Sequence, residues 1–120
     1  MNAINELSGV TADNWMAICQ LDDIVPDTGV CALLNGRHVA VFRVGDTSPQ
    51  IFAIDNVDPN AGASVLSRGL VGSLGERIVV ASPIYKQHFD LRSGECIEAP
   101  EHSVAAWPTR VFGGMVWVAL

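Results

Sequence analysis

Short apolar runs separated by Gly, Pro, Asn and Asp recur along the whole chain, and none sustains the spacing of about 3.6 residues that marks a buried helix face. The run Trp15–Gln20 predicts a first strand. A loop follows over 21–29, where Asp22, Asp23, Pro26, Asp27 and Gly29 gather. Residues 30–34 and 38–44 are apolar and β-rich, and Asn35-Gly36 between them predicts a hairpin, because both residues tolerate positive φ. A turn over 45–49 leads to the alternating run Gln50–Asp55. Residues 56–74, with Gly62, Gly69 and Gly72, read as the longest irregular piece, and long loops of that kind are usually functional or partner-facing. Arg77–Ala81 reads as a buried central strand. Residues 89–91 and 95–97 read as a pair joined by Ser93-Gly94, and 98–103 as a polar turn around Pro100. Residues 107–112 and 115–120 are the last two strands, joined by Gly113-Gly114. The pattern predicts an all-β domain of about nine or ten short strands, as a sandwich or barrel.

Composition narrows the class. A chain of 120 residues with 49% hydrophobic residues is one domain with a core of its own, and needs neither metal nor disulfide to fold. The formal charge is −6, and Lys86 is the single lysine, so no basic surface exists to neutralise a run of phosphates. Nucleic acid and anionic membranes are therefore poor partners. Cys19, Cys31 and Cys96 are odd in number and widely spaced, which predicts free, buried thiols in a reducing compartment. Residues 1–14 are expected to be a loose leader without the basic and apolar regions of a signal peptide, and no run reaches membrane-spanning length. The expectation is a soluble cytoplasmic protein.

Candidate chemistry concentrates where the central strand ends, in Ser82-Pro83-Ile84-Tyr85-Lys86-Gln87-His88-Phe89-Asp90-Leu91-Arg92-Ser93-Gly94. Pro83 removes a ladder donor, so the sheet should break there. By itself this is a hairpin with a tight loop. It also resembles the second ligand loop of Rieske-type iron–sulfur domains, in which Cys-Pro-x-His-Gly is followed by Phe-Asp and a return Gly. Pro83, Phe89, Asp90 and Gly94 match that frame. Ser82 stands at the Cys position, Tyr85 at the His position and Lys86 at the Gly position. Upstream, Asn56-Val57-Asp58, followed by Gly62 and Ser64-Val65-Leu66-Ser67, matches the Cys-x-His loop, again without its ligands. A Rieske cluster needs two Cys thiolates and two His imidazoles. Asn56, Asp58, Ser82 and Tyr85 offer an amide, a carboxylate and two hydroxyls, which are not the donors such iron takes. The loops remain, and the cluster is lost.

Ligand loops without ligands, together with Asn56-Val57-Asp58-Pro59, Ser64-Val65-Leu66-Ser67-Arg68-Gly69-Leu70, Val80-Ala81-Ser82-Pro83 and Lys86-Gln87, resemble the small subunits of assimilatory NAD(P)H-dependent nitrite reductases. The resemblance implies a Rieske-like β-sandwich or barrel over 15–120, with a small three-stranded cluster-binding-like subdomain inserted over about 56–97. It implies an accessory, non-redox subunit of an enzyme reducing nitrite to ammonium in nitrate assimilation, with no catalytic residue and no cofactor or metal in this chain. FAD, a [4Fe–4S] cluster and sirohaem belong, by the same resemblance, to a large subunit on which this chain docks. Tyr85 and Lys86 at the loop tip are the possible partner contacts, and the Tyr85 ring is expected to plug the vacated cluster volume. The rival reading on the same scaffold is a cluster-free binding module unrelated to nitrite reduction.

Other candidate groups lead to bland roles. Asp55, Asn56, Asp58 and Asn60 form an acidic-amide cluster, but Val57 and Pro59 interrupt it and no downstream Glu completes a calcium loop, so Asx turns are expected. His38, His88 and His102 have no metal spacing. Strand alternation turns His88 away from Phe89, and so toward solvent or a partner if Phe89 is core. Ser82 has no signalled base, and Cys96 is flanked by Glu95 and Glu98, which do not favour a thiolate. Trp15, Trp107 and Trp117 are expected as core or interface anchors.

Overall fold

The computed structural model describes residues 14–120, so the expected leader falls, apart from Asn14, outside the described residues. The described chain contains twelve strands, with three-residue 3-10 turns at Leu21–Asp23, Leu66–Arg68 and Pro100–His102. The strands are β1 (Trp15–Gln20), β2 (Thr28–Leu34), β3 (Arg37–Val44), β4 (Gln50–Asp55), β5 (Val57–Asp58), β6 (Ala63–Ser64), β7 (Leu70–Leu74), β8 (Arg77–Ala81), β9 (His88–Asp90), β10 (Ala106–Trp107), β11 (Thr109–Phe112) and β12 (Met115–Ala119). They form sheets in the orders β1-β12-β11, β10-β4-β3-β2, β5-β6 and β7-β8-β9. All named pairings are antiparallel.

The layering follows from β3. Its run Val39-Ala40-Val41-Phe42 is apolar without interruption, which antiparallel strands show only when both faces are covered. Ala40 and Phe42 pack with Phe52, Ile54, Leu66, Val80, Phe89, Leu91 and Cys96 on one side. Val39 and Val41 pack with Ile24, Leu34, Ala53, Val116 and Val118 on the other. Side chains alternate along a strand, so one run feeds two cores. The four-stranded sheet is thus a middle layer, with β1-β12-β11 against one face and β7-β8-β9 against the other. Each large side chain fully buried there contributes about 1.5–3 kcal/mol.

Turn chemistry sets the registers. Asn35 and Gly36, at φ 51° and 79°, join Leu34 to Arg37 as the Asn-Gly signal predicts. Gly113-Gly114 joins Phe112 to Met115 in the same way. Three sequence expectations need correction. Residues 56–74 are not irregular throughout: β5, β6 and the whole of β7 lie within them. Gly72 and Ser73 dilute the β signal of Leu70-Val71-Gly72-Ser73-Leu74, and only pairing with β8 makes it a strand. Residues 95–97 make a single bridge, Phe89 to Cys96, and no strand. The run 107–112 divides at Pro108, which has no N–H for a ladder, so Trp107 pairs with β4 while Thr109 pairs with β12.

Candidate functional site: two ligand-type loops closed on each other

The loop after β4 and the loop after β8 meet in the structure. The hydroxyl of Ser82 donates to Asp58 Oδ2 at 2.5 Å, and both residues are fully buried. That length is at the short end for a hydroxyl hydrogen bond to oxygen. The two sequence motifs, 24 residues apart, are therefore one site. Among the described residues no group of three His, Cys, Asp and Glu side chains comes together in a way that could hold a metal ion.

Three of the four ligand-type positions are occupied by side chains already satisfied by protein. Asn56, 1% exposed, accepts the Ser67 N–H on Oδ1 at 2.6 Å and donates from Nδ2 to Ser64 Oγ at 2.7 Å and to Cys31 Sγ at 3.4 Å. Ser64 Oγ also meets His38 Nδ1 at 2.7 Å. Asp58 accepts the Asn60 N–H on Oδ1 at 2.8 Å, and Asp55 Oδ1 accepts the Val57 N–H at 3.1 Å. These are the Asx turns expected from the Asp/Asn cluster. The amide and carboxylate thus serve as internal fasteners, and their hard oxygens do not fit a thiolate- and imidazole-bound iron cluster.

The fourth position differs. Tyr85 is 60% exposed and Ile84 beside it is 47% exposed. The expectation that the Tyr85 ring plugs the cluster volume is therefore corrected: the Asp58–Ser82 contact closes the two loops, and the ring stands in solvent. The turn beneath is fixed by Lys86 N–H to Ser82 O at 3.0 Å and Ser82 N–H to Gln87 O at 2.8 Å. Lys86 holds φ +65°, the left-handed conformation for which the motif uses Gly. A lysine in that conformation carries a strain of about 1–2 kcal/mol.

The return after β9 is built on Asp90. Its Oδ1 accepts the N–H groups of Arg92 at 2.7 Å and Ser93 at 3.0 Å, and its Oδ2 accepts Arg77 Nε at 2.8 Å. Arg77 also pairs with Glu95. Burial pushes the Asp90 carboxyl up, but the Arg77 hydrogen bond, the two backbone donors and the Arg77 charge outweigh it and hold it below the ordinary carboxylate range. Glu98 shifts down as well: burial opposes this, and the backbone N–H and ring of His88 outweigh it. His88 Nδ1 lies 2.5 Å from Glu98 Oε2, while Phe89 is fully buried, in agreement with the expected alternation. A carboxyl depressed in the folded state stabilises fully above its unfolded value of about 3.9 and loses that contribution as pH falls through its folded value. Thermal unfolding of the wild type should therefore be flat from about pH 5 to 7 in this respect and fall steeply below about pH 4. Asp90→Asn should be less stable than wild type at pH 7, with the gap narrower at pH 3. A gap of equal size at both values would show that the carboxylate charge is not the cause.

The three thiols differ from the expectation of burial: Cys96 is buried, Cys19 is half-buried and Cys31 is exposed. Burial, followed by the Asp23 charge, pushes the Cys19 thiol up, and burial does the same for Cys96. Neither is a reactive thiolate. The sequence reading missed Ser64, Ser67 and Cys31 as partners of the Asn56 side chain, and His38 as a partner of Ser64. A polar residue followed by Ser64 and Ser67 was the available signal, but only the fold brings His38 alongside.

The family model of the Rieske-like [2Fe-2S] domain matches residues 14–119. The nitrite reductase (NADH) small subunit of Salmonella typhimurium is 50% identical over 102 residues, covering 85% of this chain and 94% of that one. The solution structure of the nitrite reductase [NAD(P)H] small subunit from Erwinia carotovora superposes with a TM-score of 0.76 at 48% identity, covering 89% of this chain and 82% of that one. The nitrite reductase [NAD(P)H] large subunit of Klebsiella oxytoca is 47% identical over 104 residues, which are 87% of this chain but 11% of that much longer protein.

Proposed function

Because this chain belongs to the Rieske-like [2Fe-2S] domain family, and within it to the nitrite reductase small subunits, we propose that it is the non-redox small subunit of an NAD(P)H-dependent nitrite reductase, docked on the large subunit and supporting it. The observation that carries the non-redox role is the Asp58–Ser82 contact, which joins the two ligand-type loops through oxygen groups alone. Nothing in that donor set accepts an electron reversibly. The chemistry that turns nitrite into ammonium, with the FAD, [4Fe–4S] and sirohaem it uses, then belongs to the large subunit, in the cytoplasm. No helix among the described residues is long and apolar enough to cross a membrane. Residues 56–97 are the vestigial cluster subdomain of this reading, and their tip is its contact surface.

Exposure supports Tyr85 as the anchor of that contact and Lys86 as a lesser one. Tyrosine is enriched at interface hot spots and lysine depleted. Truncating such an anchor weakens binding by about 2 kcal/mol or more, roughly thirtyfold. Tyr85→Ala should therefore bind the purified large subunit about thirtyfold more weakly, with the melting temperature of the free chain unchanged. Binding as tight as wild type in both Tyr85→Ala and Lys86→Glu would move the contact off the tip. Failure of the wild-type chain to co-purify with the large subunit would sink the reading as a whole.

A further inference from the structure

Strand β7 is the outer strand of its sheet and, among the described residues, carries none of the usual protection of an edge. Native edges are blunted by charge, proline, bulges or a covering element. Leu70-Val71-Gly72-Ser73-Leu74 contains no charge and no proline, and it runs in unbroken register against β8. Its two-residue turn makes Leu74 and Arg77 the closing pair. Such a closing pair is hydrogen-bonded, and the pattern then alternates. Leu70 and Gly72 therefore bond β8, while the N–H and C=O of Val71 and Ser73 face the open edge. Among the described residues neither of these two takes a further main-chain or side-chain partner.

The edge is continuous with the tip. Leu70 pairs with Ala81, the residue before Ser82, so it sits where the second loop leaves the sheet. Leu70 is 80% exposed and Leu74 is 40% exposed, so the strand that meets the second loop carries apolar surface of its own. A cleft of about 330 Å³ lined by Asp27, Val44, Val71, Gly72, Ser73 and Ile78 runs beside it.

We propose that a strand of the large subunit pairs with the free edge of β7, adding a fourth strand to the β7-β8-β9 sheet, in continuity with the Tyr85 tip. This rests on the subunit reading above. The occupant is the large subunit and not a second copy for two reasons. In the Klebsiella oxytoca relative, the counterpart of this chain lies within the large-subunit polypeptide, so its interface is with the remainder of that chain. Two copies of this chain would also each bring a formal charge of −6 to the same contact. Strand addition of this kind draws affinity from main-chain hydrogen bonds and specificity from alternate side-chain pockets, here beside Leu70 and Leu74.

The test separates main chain from side chain. Ser73→Pro removes an outward N–H that the ladder within this chain does not use, and proline is accepted at such edge positions. Ser73→Ala keeps the N–H. Against purified large subunit, Ser73→Pro should bind at least tenfold more weakly and Ser73→Ala like wild type. Hydrogen exchange on the wild-type complex, which needs no variant to fold, should show new protection of the Val71 and Ser73 amides. Wild-type chain that binds the large subunit without protecting those amides, and Ser73→Pro that binds equally well, would overturn the edge pairing and leave the subunit reading standing. A wild-type chain that does not bind the large subunit would overturn both. A proline effect confined to self-association of the free chain would assign the edge to a second copy and overturn the proposal.

Discussion

Gly94→Ala should destabilise the isolated chain by about 2–5 kcal/mol, the largest effect expected of a glycine-to-alanine change among the described residues. Two penalties add there. Gly94 lies at φ +81°, where an L side chain is strained by about 1–2 kcal/mol. An added Cβ would also stand 2.1 Å from Val104 O and 3.0 Å from Val104 C. That neighbour is backbone, and it is held in place, since Val104 N–H donates to Gly94 O at 2.9 Å. Forcing it aside adds about 1–3 kcal/mol. Gly114→Ala is the control. Its φ is +75°, but an added Cβ meets nothing within 4 Å, so only the conformational strain remains. Urea unfolding should place Gly94→Ala at least 1 kcal/mol below Gly114→Ala, by the overpacking contribution. Equal losses would mean that the Gly94–Val104 approach relaxes freely. Gly94 closes the return that Asp90 organises, through Gly94 N–H to Asp90 O at 2.7 Å. Exchange protection should therefore fall first around Phe89 and Cys96, which that return brings together.

Asn56→Ala should cost about 2–4 kcal/mol, while Tyr85→Ala, at the other end of the same pair of loops, should stay within about 0.5 kcal/mol of wild type. Both stand at positions that the Rieske resemblance matches to ligands. Asn56 is buried and serves three partners: Ser67 N–H, Ser64 Oγ and Cys31 Sγ. Truncation strands the Ser67 N–H inside the protein at about 1–3 kcal/mol, and it loses the packing of a fully buried side chain as well. Tyr85 is mostly in solvent, so its ring contributes little to folding. Asn56→Asp separates the parts. It keeps an acceptor for Ser67 N–H but loses the donor to Ser64 and buries a charge, so it should be no better than Asn56→Ala. The same set tests the division of labour in the site: stability loss at Asn56 without a direct binding effect, and binding loss at Tyr85 without a stability effect. A strongly destabilised Tyr85→Ala would restore the plug that the structure argues against.

Much of the site was legible before the fold. Pro83, Phe89, Asp90 and Gly94 keep the spacing of a ligand loop, and that spacing survives because each residue has a local task. Pro83 ends the ladder, Phe89 fills the core, Asp90 caps the return and Gly94 takes its positive φ. Two things were not legible. One is the orientation of Tyr85, because a tyrosine in a loop can point inward or outward with equal local propensity. The other is β7, whose Gly72 and Ser73 carry little strand preference.

The determinants read from sequence alone were those that act within a few residues. Asn35-Gly36 and Gly113-Gly114 make their hairpins because positive φ is a property of the residue, and Asp55 and Asp58 cap turns two residues on because their side chains reach no further. The misfit of these donors to an iron–sulfur cluster is equally decided at that level, since donor type belongs to the side chain. Tertiary structure decided what depends on distance in space. It set Ser82 against Asp58, placed His38 and Ser64 around Asn56, left Tyr85 and Leu70 in solvent and made an edge strand of residues 70–74. Each of those outcomes is a competition among packings of the whole chain. The uninterrupted Val39–Phe42 run has two apolar faces to cover, and once β12 takes one and β8 the other, the remaining loops and edges face outward.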